Sequence, residues 1–469
     1  MLFNSIDFAI FLPIVFAIYW GVFNNNLKLQ NIVLLIASYV FYGWWDWRFL
    51  SLIIFSSLVD FYVAKNLEKN SNPKTRRRLL YLSIFVNLGF LGFFKYYNFF
   101  AESFINAFSF FGQDISFQSV RIILPVGISF YTFQTLSYSI DVYKRKLKPS
   151  QDIIVFFTFV SFFPQLVAGP IERATNLLPQ FTSKRKFTHA ALSHGFKLMI
   201  WGFFLKVVVA DRASIYVNAV YNNIESHEGL SFLAATFLFA FQIYGDFAGY
   251  SLIAIGTAKL FGFDLMTNFN RPYFSSSVSE FWTRWHISLS TWFRDYLYIP
   301  LGGNRATKPR WLFNLFITFL VSGLWHGANW TFVVWGALNG VYLIFEVLLF
   351  KQRKKNVLNI ITTFILIYFA WIFFRANSIQ DAFYIIKTIT TNLGDLYIGR
   401  GPDKTAPIYA ALAILSLLVV EIKKEYFDSL FSISKHKNEY VRMAAYATLI
   451  FVILYLGVFD DGQFIYFQF

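Results

Sequence analysis

Cysteine is absent from this 469-residue chain, which excludes a thiol nucleophile, a thiolate metal site and a disulfide and says nothing about compartment. Charge is scarce too. Asp, Glu, Lys and Arg make up 14% of the residues, against about a quarter in soluble globular domains, so a water-soluble fold is excluded. Acid is the scarcer sign, with 26 Asp and Glu against 41 Lys and Arg and a formal net charge of +15. That surplus raises nucleic acid as a partner. Its placement in short loops between apolar runs is instead the pattern of cytoplasmic loops in a membrane protein, and no nucleic-acid partner is expected. Also missing are the metal-binding helix signature of two histidines three residues apart with an acid between, the glycine-rich phosphate loop and the G-x-S-x-G turn. No metal is therefore expected.

What is present is apolar: 57% of the chain is hydrophobic and 22% aromatic. Runs such as Phe8 to Phe23, Asn31 to Trp45, Leu79 to Phe94 and Tyr409 to Val420 approach the roughly 20 residues that cross a hydrocarbon core of about 30 Å. The chain reads as all-α and polytopic, one integral-membrane domain over residues 1–469 with about twelve crossings plus re-entrant and interfacial amphipathic helices. The first run has no basic n-region and no small-residue cleavage site, so it is read as a retained span.

Basic loops at Lys65 to Arg78, Lys144 to Lys148, Lys184 to Lys186, Arg305 to Arg310, Lys351 to Lys355 and Lys423 to Arg442 should face the cytoplasm. Counting spans from them places the N- and C-termini outside. Between Lys148 and Lys184 lies only one apolar run, Ile153 to Val167, broken by Pro164. One crossing cannot return to its own side, so a re-entrant segment is expected there. The stretch Phe261 to Arg310, where aromatic and basic residues alternate with polar ones, reads as helices at the cytoplasmic interface. From Arg310 to Lys351 there is room for two crossings, with Gly327-Ala328-Asn329 as their bend and His326 beside it.

Of six histidines, His189, His194, His227 and His436 fall in or beside polar loops. His326 lies in an apolar stretch and His286 in the aromatic, basic belt. An imidazole in an apolar site stays neutral and can accept a proton near neutral pH, which makes His326 a candidate general base. The competing reading is a core histidine bonded to a backbone carbonyl. Ser322, four residues earlier, raises a serine–histidine dyad, although Ser322, Gly323 and Gly327 also suit close helix packing. Asp246 is a second intramembrane charge, expected to hold an Arg or orient a helix break. Arg284 and Arg294, flanking His286, would suit an anionic, phosphate-bearing donor.

Six blocks in order, Pro125 to Gln134 (PVGISFYTFQ), Gly169 to Arg173 (GPIER), Phe269 to Tyr273 (FNRPY), Phe281 to Ser290 (FWTRWHISLS), Tyr298 to Arg305 (YIPLGGNR) and Leu324 to Trp330 (LWHGANW), resemble the membrane-bound O-acyltransferase family. The likeness is to its bacterial branch that O-acetylates alginate and peptidoglycan. It implies that His326 stands at the family's catalytic histidine and His286 at the second histidine, near the donor entrance. Trp325, Asn329, Arg284, Trp285, Arg294, Asp246 and Ser322 would line the substrates' path, with Trp285 and Trp325 plugging it against ion leakage. The implied donor is acetyl-coenzyme A, used as a substrate with no tightly bound cofactor. Two positions depart from the pattern: Leu252 replaces an acidic residue and Asn339 a histidine.

The last six residues, Phe464 to Phe469 (FIYFQF), resemble an F-x-Y-x-x-F terminus proposed in this branch as an acyl acceptor, which singles out Tyr466. The resemblance thus implies a protein of the bacterial cytoplasmic membrane, surrounded by lipid. It would load acetyl onto Tyr466, and a separate extracytoplasmic transferase of the SGNH/GDSL type would pass it to a cell-surface polysaccharide. The alternatives are D-alanyl transfer to a cell-wall polymer and, in another class, a polysaccharide or solute transporter. Against the transporter, no internal repeat of the kind common there is visible.

Overall fold

The computed structural model describes residues 1–110, 122–167, 169–350, 355–399, 404–427, 436–459 and 464–465, and no strand occurs among them. Seven helices of the described residues are long and apolar enough to cross a membrane, and Ile6–Val22 and Ile153–Leu166 are shorter apolar helices. The Leu27–Lys69 span is itself composite. Asp46 leaves the helical conformation and its carboxylate caps Arg48 N, which leaves Leu27–Asp46 and Leu50–Lys69, each of 20 residues and each about 30 Å long at 1.5 Å per residue. The chain is the all-helical polytopic membrane protein that its composition indicates.

The chain divides into two compact units, residues 1–195 with 254–266, and residues 196–253 with 267–469. In the first, the run at Ile153 is short and broken, as Pro164 requires. Ile153–Ser161 has nine residues, about 14 Å at 1.5 Å per residue, less than half a bilayer core. The chain opens at Phe162 and resumes in Phe163–Leu166. The freed Phe163 N–H donates to Ser38 Oγ at 3.0 Å, and Gln134 Nε2 donates to Phe159 O at 2.7 Å. Side chains thus satisfy irregular backbone that lipid could not.

The second unit carries the histidines. Gly229–Leu260, whose turns from Ala254 on belong to the first unit, places Asp246, Phe247 and Ser251 along one helix. Lys308–His326 and Trp330–Leu349 form a helical hairpin, and the Asn329 side chain caps its second arm by accepting from Thr331 N at 3.0 Å. The arms meet through glycine: a Cβ at Gly323 would lie 2.3 Å from Phe332 O, and one at Gly336 would lie 2.5 Å from Phe319 O. That is the close approach expected of small residues between membrane helices. Before the hairpin, Val278–Arg284 and Ile287–Phe293 are seven-residue helices that bury Phe281, Trp282, Leu289 and Trp292. Ser277 opens the first by accepting from Glu280 N at 3.0 Å, a standard N-cap.

Candidate active site

His286 occupies the join between those two short helices, at φ +43°. A left-handed backbone is uncommon for a side chain with a Cβ. Here it turns the imidazole inward, to 1% exposure. Asn268 holds it there. Asn268 Oδ1 accepts from Ser288 N at 3.2 Å and from Ser288 Oγ at 2.9 Å, and its Nδ2 donates to Ser251 Oγ at 3.1 Å. A backbone N–H can only donate, so the amide orientation is fixed, and the His286 Nδ1 that lies 3.2 Å from Asn268 Oδ1 must carry the hydrogen. Nε2 is then the basic nitrogen. Burial holds the imidazole down at about 3, so it is neutral at physiological pH.

His326 ends the first arm of the hairpin. Its ring stands edge-on to Trp335 at 4.9 Å and packs against Trp325 at 5.1 Å and Phe374 at 5.6 Å. The sequence reading puts His286 at the donor entrance and His326 at the catalytic position. The structure sets their ring centroids 6.4 Å apart, with Trp325 6.1 Å from His286. Phe247, 4.5 Å from His286, closes the other side. Trp285, fully buried, stacks on Phe281 at 5.4 Å and neighbours Trp371 at 5.2 Å. It is a wall of the site.

Two cavities lie at opposite ends of the hairpin. A largely apolar one of about 640 Å³ is lined by Ser322 and Thr318 of the first arm, Leu343 and Glu346 of the second, and Arg294, Tyr298 and Trp311. A polar one of about 520 Å³ lies at the bend, lined by Ala328, Asn329, Thr331, Asn218, Asn222, Gln242, Lys206, Asp211, Asp246, Arg375 and Ile465. His326 falls in sequence between Ser322 of one and Ala328 of the other. Ser322 lines the apolar cavity.

Two expectations change. Asp246 neither holds an Arg nor breaks its helix, which runs unbroken through it. It pairs with Lys206 Nζ at 2.6 Å, a lone cation inside the apolar run Leu198 to Ala210. Arg284 is not poised for phosphate: its guanidinium meets Glu280 at 2.7 Å and Glu425 at 3.1 Å. Its charge is already neutralised. Arg294, more than half exposed and paired with Asp295 at 2.8 Å, does border the apolar cavity. Tyr466 lies outside the described residues. Sequence reasoning missed Asn268, whose place beside the Phe269 to Tyr273 block was the one hint, and Lys206, where an isolated ammonium in an apolar run was the available signal.

Buried titratable groups thus lie among packed membrane helices, with a cavity on either hand. Residues 144–385 match the model of the membrane-bound O-acyltransferase family. The chain is 40% identical over 394 residues to the probable alginate O-acetylase AlgI of Pseudomonas aeruginosa, covering 83% of this chain and 75% of that one. It is 34% identical over 425 residues to the peptidoglycan O-acetyltransferase of Helicobacter pylori, covering 82% and 79%. It is 30% identical over 242 residues to the teichoic acid D-alanyltransferase of Streptococcus thermophilus, covering 49% and 58%. The chain belongs to the membrane-bound O-acyltransferase family and is a multi-pass membrane acyltransferase. The family match includes both histidines and ends before Tyr466.

Proposed function

We propose that this protein takes acetyl from cytoplasmic acetyl-coenzyme A and delivers it, through the membrane interior, for O-acetylation of a cell-surface polysaccharide. The carrying observation is the histidine pair, 6.4 Å between rings, with His326 ending the first arm of a hairpin that has an apolar cavity at its open end and a polar one at its bend. The first arm begins at the basic loop Arg305 to Arg310, so charge counting puts the apolar cavity toward the cytoplasm and the polar one outside. Both termini then lie outside the cytoplasmic membrane. An apolar cavity suits the thin arm of the thioester donor; the relatives named for alginate and peptidoglycan acetylation supply the acceptor class.

In this reading His286, with Nδ1–H committed to Asn268, uses Nε2 to accept an amide N–H of the donor arm. His326 takes the phenolic proton of Tyr466 as its oxygen attacks the thioester carbonyl. The C–S bond breaks, and the thiolate leaves with the proton returned by the imidazolium as free coenzyme A. Phenol ordinarily ionises near 10, so the aryl acetate is an activated ester whose transfer to a sugar hydroxyl runs downhill. An exported SGNH-type transferase performs that second step. The D-alanyl reading has weaker support, since the relative named for it aligns with about half of this chain.

The test is intact-mass and peptide analysis of purified protein incubated with labelled acetyl-coenzyme A. Label is expected on the C-terminal peptide, absent in Tyr466→Phe and reduced at least a hundredfold in rate in His326→Ala. Labelling of His326→Ala at the parental rate would exclude His326 as the base. Failure to release free coenzyme A would favour the transporter class.

A further inference from the structure

The acyl chemistry leaves a buried cluster of charge, Lys206, Asp211 and Asp246, unused. Lys206 sits in the π-helical stretch Phe204–Ala210, a bulged geometry frequent at functional sites. Its ammonium meets Asp246 Oδ1 at 2.6 Å and Asp211 Oδ1 at 2.8 Å. Burying such a trio costs desolvation that mutual attraction alone seldom recovers, and apolar side chains would build the same wall without that cost. What the trio achieves is the aim of one carboxylate. With Oδ1 on Lys206, Asp246 turns Oδ2 to the backbone N–H of Ile465 and accepts it at 2.7 Å.

The same elements grip the chain end at three further points. Arg212 Nε donates to Leu456 O at 2.7 Å, and Val458 N donates at 2.9 Å to Val207 O of the π-helical stretch. Phe464, fully buried, sets its ring 4.6 Å from Tyr250 and 5.5 Å from Phe247, and Phe247 touches His286. The last described residues are therefore held along the polar cavity and the histidine site.

We propose that Lys206, Asp211 and Asp246 form a clamp that docks the C-terminal segment at the polar cavity, with Asp246 as its positioning residue. Its purpose, presenting the residue after Ile465 for acetylation, rests on the acceptor role given to Tyr466. A carboxylate accepting a peptide N–H makes a charge-assisted bond, stronger than a neutral one, and Lys206 keeps that carboxylate paired and oriented.

The experiment is hydrogen–deuterium exchange of the full-length protein in nanodiscs, with acetyl labelling of the same samples. In Asp246→Ala the C-terminal peptide should exchange at least tenfold faster, and acetyl on Tyr466 should fall at least tenfold, while peptides of the Lys308–Leu349 hairpin exchange as in the parent. Asp246→Asn keeps the fold testable. It retains an oxygen for the Ile465 N–H but loses the charge, and should give about threefold acceleration. Unchanged exchange of the tail in both variants would overturn the clamp, as would acceleration spread equally over the hairpin, the mark of a merely structural cluster. Release of the tail in a protein whose parent carries no acetyl on Tyr466 would uphold the clamp and overturn the acceptor reading.

Discussion

Replacing Asn268 with Asp isolates the electrostatic part of the His286 site, because the two side chains have the same shape. A carboxylate can accept all that Asn268 Oδ1 now accepts, from Ser288 N at 3.2 Å, Ser288 Oγ at 2.9 Å and His286 Nδ1 at 3.2 Å. The Ser251 hydroxyl, now an acceptor from Nδ2 at 3.1 Å, rotates and donates instead. Only charge changes. A negative charge centred about 4 Å from an imidazolium is worth about 4 kcal/mol at an effective dielectric near 20, or about three pH units. Burial holds His286 at about 3, so Asn268→Asp should lift it to about 6. Below that pH the variant carries a proton on Nε2 and can no longer accept the amide N–H that the proposed mechanism assigns to it. The assay is coenzyme A release against pH from 5 to 8.5 in nanodiscs. In kcat/KM the variant should show an acid limb centred near 6 that the parent lacks, and adding His286→Gln should remove it. A folded variant with the parental profile, or a limb that survives His286→Gln, would refute the reasoning.

His286 also predicts a stability profile. Its native value of about 3 lies below the unfolded 6.5, so the unfolded chain binds the proton first. This contribution is intact above pH 6.5 and falls with pH, by about 2 kcal/mol at pH 5. Unfolding midpoints at pH 7.5 and 5.0 measure it, and a His286→Gln protein that keeps the parental difference would contradict it. Gly323→Ala tests the hairpin contact. The new Cβ would lie 2.3 Å from Phe332 O and 3.1 Å from Gly336 Cα, backbone that cannot rotate away. A loss of about 1–3 kcal/mol is expected, with activity falling about a hundredfold as His326, three residues on, is displaced. Gly92→Ala, whose Cβ meets nothing within 4 Å, should leave both properties unchanged; equal behaviour of the two variants would show that the glycine contact does not position His326.

The fold class was legible because it rests on composition and run length, which survive without tertiary knowledge. The broken segment at Ile153 was legible for a similar reason: two basic flanks and one proline-split run admit few alternatives. The hairpin bend at Gly327 to Asn329 followed from segment length alone. Arg284 was misjudged although half of its explanation lies in the sequence, since Glu280 precedes it by the four residues that place two side chains on one helix face. The other half, Glu425, is 141 residues away, and no local pattern reports it. Asp246 reads from the sequence as an intramembrane charge with an Arg for partner, because the cation that reaches it, Lys206, is hidden on a π-helical bulge that no hydrophobic period announces.

The closeness of the two histidines was the largest surprise, and it changes the chemistry asked of them. Forty positions apart in the sequence and with a polar, aromatic segment around the first, they read as a doorway and a destination. A left-handed turn at His286, offset by the Asn268 bonds, folds the doorway onto the destination. Rings 6.4 Å apart leave no room for a donor arm to lie between them, so the thioester proposed as donor would reach both together. In the mechanism proposed above, the arm then arrives along the apolar cavity with its carbonyl already beside His326. That arrangement separates two tasks often given to one residue. An imidazole held at about 3 is too weak a base to take a phenolic proton, and is suited to accepting a hydrogen bond without ever becoming charged. The proposed mechanism leaves proton transfer to His326, at the bend where the polar cavity lies and where Asp246 holds Ile465.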